Sequence, residues 1–383
     1  MSVCPVNLSE LRPLDRVLAF IDYNIPPEKK RAGSKLPTTR EVSEILDVSS
    51  ATVRNAYQIL AERGLARSDM GSGTFWTKAA EDQTHGSEIV IGVNGRTLHP
   101  DQNATRWGDR IIGGLVRGMF NKGLSLRLKT VELVQDGKVL TNEEELRQRL
   151  EGINAFVIMP FPEQNILAET LRCRGISAVH VNPPALNSTS NFVSPDYFSA
   201  SRLAGVAFAA TGRRRVLLYL SPGTERSKSC QLRLAGFVSG LHSGEHAPDF
   251  RKLTVEADDP AEARRVFSDF LKQGWVPDAI YTAGDDLALA VMDVATEREI
   301  RIPEDMSIIG GNGLAVGGNG KNSSLTSMVQ PLEEIGQQLA QMLLDKRRRP
   351  DAAAPGVVLP MNFWIGKTTL PSEDRILSNN DKM

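Results

Sequence analysis

Hydrophobic residues recur at helical spacing along the first 62 residues of this chain. Apolar side chains three or four positions apart predict three short helices, each with one buried stripe. A glycine-bearing turn with apolar flanks follows and predicts a two-stranded β-ribbon. The stripes are Leu14, Val17, Leu18 and Ile21, then Val42, Ile45 and Leu46, then Val53, Ala56, Tyr57 and Leu60, and the strands are Leu65 to Arg67 and Thr74 to Thr77. Residues 1–78 are therefore predicted to form a winged helix-turn-helix domain.

After a polar, aperiodic linker at residues 79–87, short apolar runs alternate with helical stretches. This alternation predicts a parallel, doubly wound α/β architecture over residues 88–370, which is long enough for two lobes with a ligand cleft at the strand ends. A polar tail is predicted at 371–383. The apolar runs are Ile89–Val93, Ala155–Met159, Ala178–Val181, Val216–Leu220, Ala279–Tyr281 and Ser307–Ile309, and the helices between them include Arg110–Lys122, Glu143–Leu150, Ala200–Ala210, Pro260–Gln273 and Leu287–Glu299.

Composition changes this picture little. The chain is 41% hydrophobic and 24% charged, as in an ordinary globular protein. No apolar run approaches the roughly 20 residues that span a bilayer, and the N-terminus lacks the layout of a secretory signal. The three cysteines (Cys4, Cys173 and Cys230) are odd in number and far apart, which argues against a disulfide framework or a zinc site. We therefore expect a protein of the reducing cytoplasm.

The distribution of charge along the chain does not show which part of it would bind nucleic acid. The net charge is -1, and residues 1–78 hold 11 Lys and Arg against 9 Asp and Glu. Individual side chains are more informative. Ser49, Ser50, Thr52 and Arg54 lie at the start or outer face of the third predicted helix, the part of such a domain that enters the major groove of DNA.

Three motifs in this N-terminal domain resemble the winged helix of the GntR family. They are Gly-Ser-Lys-Leu-Pro-Thr-Thr-Arg (33–40), Val-Ser-Ser-Ala-Thr-Val-Arg (48–54) and Gly-Ser-Gly-Thr-Phe (71–75). The resemblance implies contacts of Arg40 and Arg54 with operator DNA, assisted by Thr52 and by a wing turn that contains Gly71 and Gly73. Ser50 stands where the family often has arginine, which removes a bidentate contact to guanine.

The region beyond residue 88 resembles the effector domain of LacI/GalR-type repressors. The resemblance rests on Leu-Arg-Leu-Ala-Gly-Phe (232–237), Pro-Asp-Ala-Ile-Tyr-Thr-Ala-Gly-Asp-Asp (277–286), Ile-Pro-Glu-Asp-Met-Ser-Ile-Ile-Gly-Gly-Asn (302–312) and Ser-Leu-Thr-Ser-Met-Val-Gln-Pro-Leu (324–332). It implies a periplasmic-binding-protein-like fold, in which two lobes joined by three crossovers close on a small molecule, usually a sugar. A GntR-type head on such a body resembles the architecture of arabinose repressors, so a pentose is the first ligand to test.

The same resemblance implies a set of effector-binding residues. Arg233 matches an arginine that binds ligand hydroxyls or a carboxylate, and Asn312 stands where an Asp usually accepts sugar hydroxyls. Asp196 or the neighbouring Ser199 would line the second lobe's side of the cleft. In the first lobe the loop after Val93 supplies the candidates Asn94, Arg96 and Trp107. Asp285 precedes a predicted helix and is interpreted as its cap.

Signatures of catalysis do not match. Ala315 stands where a phosphate-binding loop needs its first Gly, and Asn322 where it needs Ser or Thr after Gly320-Lys321. His242 and His246 are four apart, but the Gly and Ser residues around them argue against a metal-binding helix. We therefore predict no catalytic residues, no cofactor and no metal.

The sequence thus predicts a transcriptional regulator, in the first instance a repressor. It is expected to bind double-stranded operator DNA as a homodimer, to respond to a small molecule such as a sugar, and to have no membrane contact. Two alternatives stay open. One is a sugar- or nucleotide-processing enzyme with an accessory DNA-binding domain, and the other is a plain sugar-binding protein, which the missing signal peptide disfavours.

Overall fold

A computed structural model gives the fold of the chain. It describes residues 12–25, 29–62, 64–69, 71–78, 80, 88–94, 104–122, 124–135, 138–161, 164–183, 191–221, 227–256, 259–316, 324–348 and 356–378. These residues form two compact units. Unit 1 comprises Met1–Val193 with Leu332–Val357, and unit 2 comprises Ser194–Pro331 with Val358–Met383, so the chain passes between the units three times.

The helices and strands of the described residues have the following bounds. The helices are α1 Pro13–Asn24, α2 Thr39–Leu46, α3 Ser50–Glu62, α4 Ala104–Phe120, α5 Glu143–Leu150, α6 Gln164–Arg172, α7 Tyr197–Ala210, α8 Lys228–Leu241, α9 Pro260–Leu271, α10 Asp285–Glu297, α11 Leu332–Arg348 and α12 Pro371–Leu377. The strands are β1 Ala66–Asp69, β2 Gly73–Trp76, β3 Glu88–Asn94, β4 Ser125–Val131, β5 Val134–Gln135, β6 Lys138–Val139, β7 Ala155–Ile158, β8 Ser177–Val181, β9 Phe192–Pro195, β10 Arg215–Leu220, β11 Asp249–Thr254, β12 Ala279–Thr282, β13 Ser307–Gly310, β14 Thr326–Val329, β15 Val357–Leu359 and β16 Asn362–Trp364.

The N-terminal part of unit 1 is a winged helix-turn-helix domain. Helices α1, α2 and α3 bury their apolar stripes in one cluster, and the antiparallel ribbon of β1 and β2 covers it through Trp76. The cluster fits the predicted stripes except at Ile45, which is 63% exposed. The predicted winged domain is confirmed, although its strands extend over slightly different residues than expected.

The remainder of unit 1 is built on a six-stranded sheet with the order β15-β9-β8-β7-β3-β4. Strand β3 pairs in parallel with β4 and β7, β7 with β8, and β8 with β9. Short apolar strands such as Ala155–Ile158 are buried along their whole length, as expected when helices cover both faces of a parallel sheet.

Unit 2 contains a second six-stranded sheet with the order β11-β10-β12-β13-β14-β16. Its strands are parallel except for β16, which runs antiparallel to β14. Two hydrophobic clusters pack on this sheet, with Phe237 and Tyr281 among the largest buried side chains of one and Tyr219 and Phe267 among those of the other. The predicted parallel α/β class is confirmed.

Two details differ from the sequence prediction. Trp107 lies within helix α4 and not in the loop after Val93. Residues 371–377, which the sequence assigns to a polar tail, form helix α12, because Glu373 is fully buried and bonds to Arg213 and Ser307. The hydrophobic pattern alone does not reveal such a polar anchor.

Candidate DNA-binding surface and ligand site

The polar residues predicted to contact DNA lie together on the outside of the winged domain. Ser49 caps α3 by accepting a hydrogen bond from the Thr52 backbone N–H at 3.1 Å. Ser50 accepts a hydrogen bond from the Ser43 hydroxyl at 3.2 Å, which links α3 to α2. Arg54 is exposed on the first turns of α3 and makes no side-chain hydrogen bond or ion pair to the residues that the structure describes.

Helix α2 is fixed by a capping box at its start. Thr38 accepts a hydrogen bond from the Glu41 backbone N–H at 3.2 Å, and the Glu41 carboxylate accepts one from the Thr38 N–H at 2.6 Å. The hydrogen bonds that the Thr38 N–H and the Thr38 hydroxyl donate to this carboxylate lower the pKa of Glu41. Arg40, one residue earlier in the same turn, is exposed and pairs with Glu44 at 2.8 Å, a surface contact that a phosphate can replace at little cost.

The wing turns through two glycines with positive φ, Gly71 at 79° and Gly73 at 116°. A side chain at Gly73 would also collide with Lys35, whose Cε lies 2.5 Å from the position of the added Cβ. The Lys35 ammonium lies 6.0 Å from the Phe75 ring centroid, and the Arg67 guanidinium lies 5.8 Å from it. Sequence reasoning missed Lys35 at the wing, because its pairing with Phe75 joins residues forty positions apart. It predicted the strand that contains Arg67 but not the contact of this cation with Phe75.

The candidate ligand residues of unit 2 lie where the parallel strands end. Arg233, on α8, is buried and donates hydrogen bonds through Nη1 to the Tyr281 hydroxyl at 2.9 Å and to the Gly311 carbonyl at 2.8 Å. Its guanidinium carbon lies 4.4 Å from the ring centroid of Tyr197. Within the described residues Nε and Nη2 of Arg233 donate no hydrogen bond, so they can serve a ligand.

Asn312 directly follows Gly311, whose carbonyl accepts a hydrogen bond from Arg233. Its Oδ1 accepts hydrogen bonds from the backbone N–H of Asp285 at 3.2 Å and of Leu314 at 3.3 Å. The Oδ1 atom therefore shapes the loop, while Nδ2 is the group left for a ligand. Asp196 accepts a hydrogen bond from the Ser199 N–H at 3.0 Å and so caps α7, directly before the tyrosine that stacks on Arg233.

Asp285 does more than begin helix α10. Its buried carboxylate accepts hydrogen bonds from the Ser327 hydroxyl at 2.5 Å and from the Ala315 backbone N–H at 2.9 Å. The N–H groups of Asn312 and Gly313 approach it at 3.4 Å. This carboxylate therefore ties the loop after β13 to β14, whereas the sequence suggested only a helix cap.

The unit 1 candidates have separate positions. Asn94 ends β3 and is buried, with its Oδ1 accepting from the Met159 N–H at 2.8 Å and its Nδ2 donating to the Met159 carbonyl at 3.3 Å. Trp107 is half-buried on α4. Arg96 lies outside the described residues. Sequence reasoning also missed His180, a buried residue near the end of β8 whose pKa burial lowers to about 4.

A winged helix-turn-helix domain and an α/β body with a polar site at its strand ends define a two-part architecture. Two family descriptions match the chain in this order. Residues 15–75 match the bacterial regulatory proteins of the gntR family, and residues 207–369 match the periplasmic binding protein-like domain. The chain therefore joins a gntR-type DNA-binding domain to a periplasmic-binding-protein-like domain.

Transcriptional repressors are among the curated relatives of this chain. The HTH-type transcriptional repressor PurR of Escherichia coli O1:K1 is 26% identical over 261 residues, which cover 63% of this chain and 71% of that protein. PurR of Edwardsiella ictaluri is 28% identical over 168 residues, which cover 42% of this chain and 47% of that protein. The chain thus spans about half the length of the latter relative.

Solved structures share the fold. A LacI family transcriptional regulator from Enterococcus faecium with bound ribose has a TM-score of 0.58 at 21% identity and covers 74% of this chain and 99% of its own. A lac repressor dimer bound to operator and the anti-inducer ONPF has a TM-score of 0.59 at 21% identity, with coverages of 77% and 99%. The described helices of our chain include none long and apolar enough to cross a membrane.

Proposed function

We propose that this protein is a transcriptional repressor of the cytoplasm that binds operator DNA as a homodimer under the control of a sugar. The observation that supports it best is the pairing of two sites in one chain. One is an exposed polar surface on a winged domain, and the other is a buried arginine with unused donors at the strand ends of an α/β unit.

The DNA contacts that we propose come from Arg40, Ser49, Ser50, Thr52 and Arg54, with the backbone of Gly71 and Gly73 at the wing. The hydroxyls suit phosphate oxygens, and an arginine on the first turns of α3 suits a guanine edge in the major groove. A winged domain of this size contacts one half-site, so two copies at a fixed distance would select a symmetric operator.

The residues that we propose for ligand binding are Asn94, Arg96 and Trp107 of unit 1 and Asp196, Arg233 and Asn312 of unit 2. Arginine donors and asparagine amides suit the paired hydroxyls of a sugar. The ribose in the related Enterococcus faecium structure makes pentoses the first compounds to test.

The DNA assignment is tested by selecting duplexes from a random library with the full-length protein. Replacing Arg54 by Ala should weaken binding to the selected duplex by about 1–3 kcal/mol per half-site, because each winged domain of the homodimer loses one direct base contact. The stability should change by less than about 0.5 kcal/mol, because the side chain is exposed. Glu62→Ala, at the far end of the same helix, is the control. Unchanged affinity of the Arg54 variant in a gel-shift titration would contradict the assignment.

The ligand assignment is tested by a thermal-shift screen of monosaccharides, pentoses first. A compound that raises the melting temperature of the wild-type protein should fail to do so with Arg233→Ala, because a ligand stabilises only the state that binds it. Equal stabilisation of both proteins would place the ligand elsewhere. Chromatography of the compound after incubation discriminates the enzyme alternative, since we propose that it is recovered chemically unchanged.

A further inference from the structure

Helix α1 of the winged domain contacts the rest of unit 1 through a buried carboxylate. The Asp15 side chain is 10% exposed and accepts hydrogen bonds from Nε of Arg117 on α4 at 2.8 Å and from Nε of Arg12 at 3.2 Å. A second nitrogen of Arg117 also pairs with it. A carboxylate removed from water needs such cationic partners, and this requirement favours the contact of Asp15 with Arg117 of α4.

A second carboxylate extends the network to helix α11. Glu333 pairs with Arg12, and it lies 3.8 Å from a guanidinium nitrogen of Arg110 and 3.9 Å from one of Arg117. Three arginines and two carboxylates therefore join α1, α4 and α11. We call this set the head network: Arg12, Asp15, Arg110, Arg117 and Glu333.

Apolar packing supports the same contact independently of charge. Phe120, the last residue of α4, is 5% exposed and belongs to the hydrophobic cluster of the winged domain, together with Leu18 and Ile21 of α1. A core residue contributed by the body ties the two parts more firmly than a linker alone, because separating them would expose this ring to water.

The surface under α1 is stiff. A Cβ added to Gly114 of α4 would lie 2.0 Å from the carbonyl oxygen of Glu333, and one added to Gly336 of α11 would lie 2.0 Å from that of Ile111. The backbones of α4 and α11 are therefore in direct contact, which leaves little room for one helix to shift against the other.

The contact leaves the proposed DNA surface accessible. Arg40, Arg54, Gly71 and Gly73 are exposed in this arrangement, and the network reaches the winged domain through α1. Docking therefore fixes the orientation of the domain and does not occlude its operator-binding side.

The network also lies close in sequence to the ligand site. Gln330 accepts a hydrogen bond from the Tyr197 hydroxyl at 3.2 Å, and Tyr197 stacks on Arg233 at 4.4 Å. Glu333 follows Gln330 by three positions, across Pro331. Pro331 therefore separates the hydrogen-bonded Gln330 from the first residue of α11.

We propose that the head network locks the winged domain onto the rest of unit 1. This inference rests on the proposed function, and it names the internal partner of the DNA-binding domain. With the lock closed, both winged domains of a dimer keep the spacing that a two-half-site operator requires. With the lock open, each domain binds its half-site independently.

The test uses the full-length protein and duplexes selected with the wild type from a random library, in complete form and cut to one half-site. Asp15→Asn should lower affinity for the complete duplex about tenfold, a typical coupling between sites. Affinity for the half-site should be unchanged, and hydrogen exchange should rise in residues 13–24. Glu333→Gln, at a less buried position, should give the same pattern more weakly, and Glu169→Gln, an exposed paired carboxylate of α6, should give none of it.

The outcomes separate the two proposals. A wild-type protein that selects no DNA contradicts the proposed function. If the wild type selects DNA but both network variants keep its affinity and its exchange pattern, the lock is wrong. Equal weakening on complete and half-site duplexes also overturns it, because that result indicates damage to the winged domain itself.

Discussion

The two six-stranded sheets both end in buried polar side chains, but the chemistry of these side chains differs. Unit 1 has neutral groups, Asn94 and His180, at 5% and 2% exposure. Unit 2 has an acidic and a basic side chain, Asp285 and Arg233, at 1% and 7% exposure. Each group of unit 2 has at least two hydrogen-bond partners, whereas Nδ1 of His180 has none among the described residues.

The difference shows two ways in which a buried polar side chain is tolerated near the end of a strand. A buried charge is tolerated only with several partners, so unit 2 can present an arginine to a ligand because the same region is tightly bonded. A buried imidazole is tolerated by staying neutral, so His180 needs fewer hydrogen bonds but makes unit 1 sensitive to acid. Three experiments can break or sharpen this contrast.

The largest expected effect is on the carboxylate of unit 2. Asp285→Ala should lower the free energy of unfolding of this unit by about 3 kcal/mol, because the Ser327 hydroxyl and the Ala315 N–H both lose their acceptor. Urea denaturation measures it. Asp286→Ala, at the adjacent exposed position on the same helix, is the matched control and should cost less than about 1 kcal/mol. Similar losses for both variants would mean that the carboxylate does not hold the loop.

We expect acid to destabilise unit 1. Burial lowers the pKa of His180 from 6.5 to about 4. Below pH 6.5 this imidazole therefore binds a proton in the unfolded chain but stays neutral in the folded chain. The contribution of neutral His180 to the free energy of unfolding is therefore fully present above pH 6.5 and is lost as the pH falls towards 4. Between pH 7 and pH 5 the loss should be about 2 kcal/mol, measured by urea unfolding at the two pH values.

Removing the imidazole provides the control for that prediction. His180→Phe should reduce the difference in stability between pH 7 and pH 5, while His242→Phe, at an exposed position, should leave it unchanged. A His180→Phe protein with the same acid sensitivity as the wild type would show that another group causes it.

The smallest expected effect concerns the neutral amide of unit 1. Asn94→Ala should lower the free energy of unfolding by roughly 1–2 kcal/mol, because the buried N–H and carbonyl of Met159 lose their partners. Asn154→Ala removes one bond to the Val90 N–H at an exposed site, where water can replace it, and should cost less. A larger loss at Asn154 would reverse the argument from burial.

Much of the fold could be predicted from the sequence. The stripes of α1, α2 and α3 mark a buried face, and short buried strands alternate with helices beyond residue 88 because each parallel pairing needs a crossover. Arg233 and Asn312 were predicted from motifs, and their roles in ligand binding stay predictions. Trp107 was expected in a loop because the pattern does not show that α4 begins at Ala104.

The missed features all depend on residues far apart in the chain. Tyr281 and Gly311 hold Arg233 from 48 and 78 positions away, and the contact of Asp15 with Arg117 spans 102 positions. Neither contact has a local signature. A titratable side chain such as Asp15 or His180 has the same letter code whether it is exposed or buried.

The sequence by itself determined that a winged DNA-binding domain precedes a parallel α/β body, because helix caps, periodicity and turn glycines act over a few residues. The tertiary structure decided which polar side chains are buried and with which partners. It placed the carboxylate of Asp285 against the loop after β13, Arg233 over Tyr197, and Asp15 between the winged domain and α4. The physical reason is that burial and charge pairing are set by long-range packing, which brings together residues that no local pattern connects.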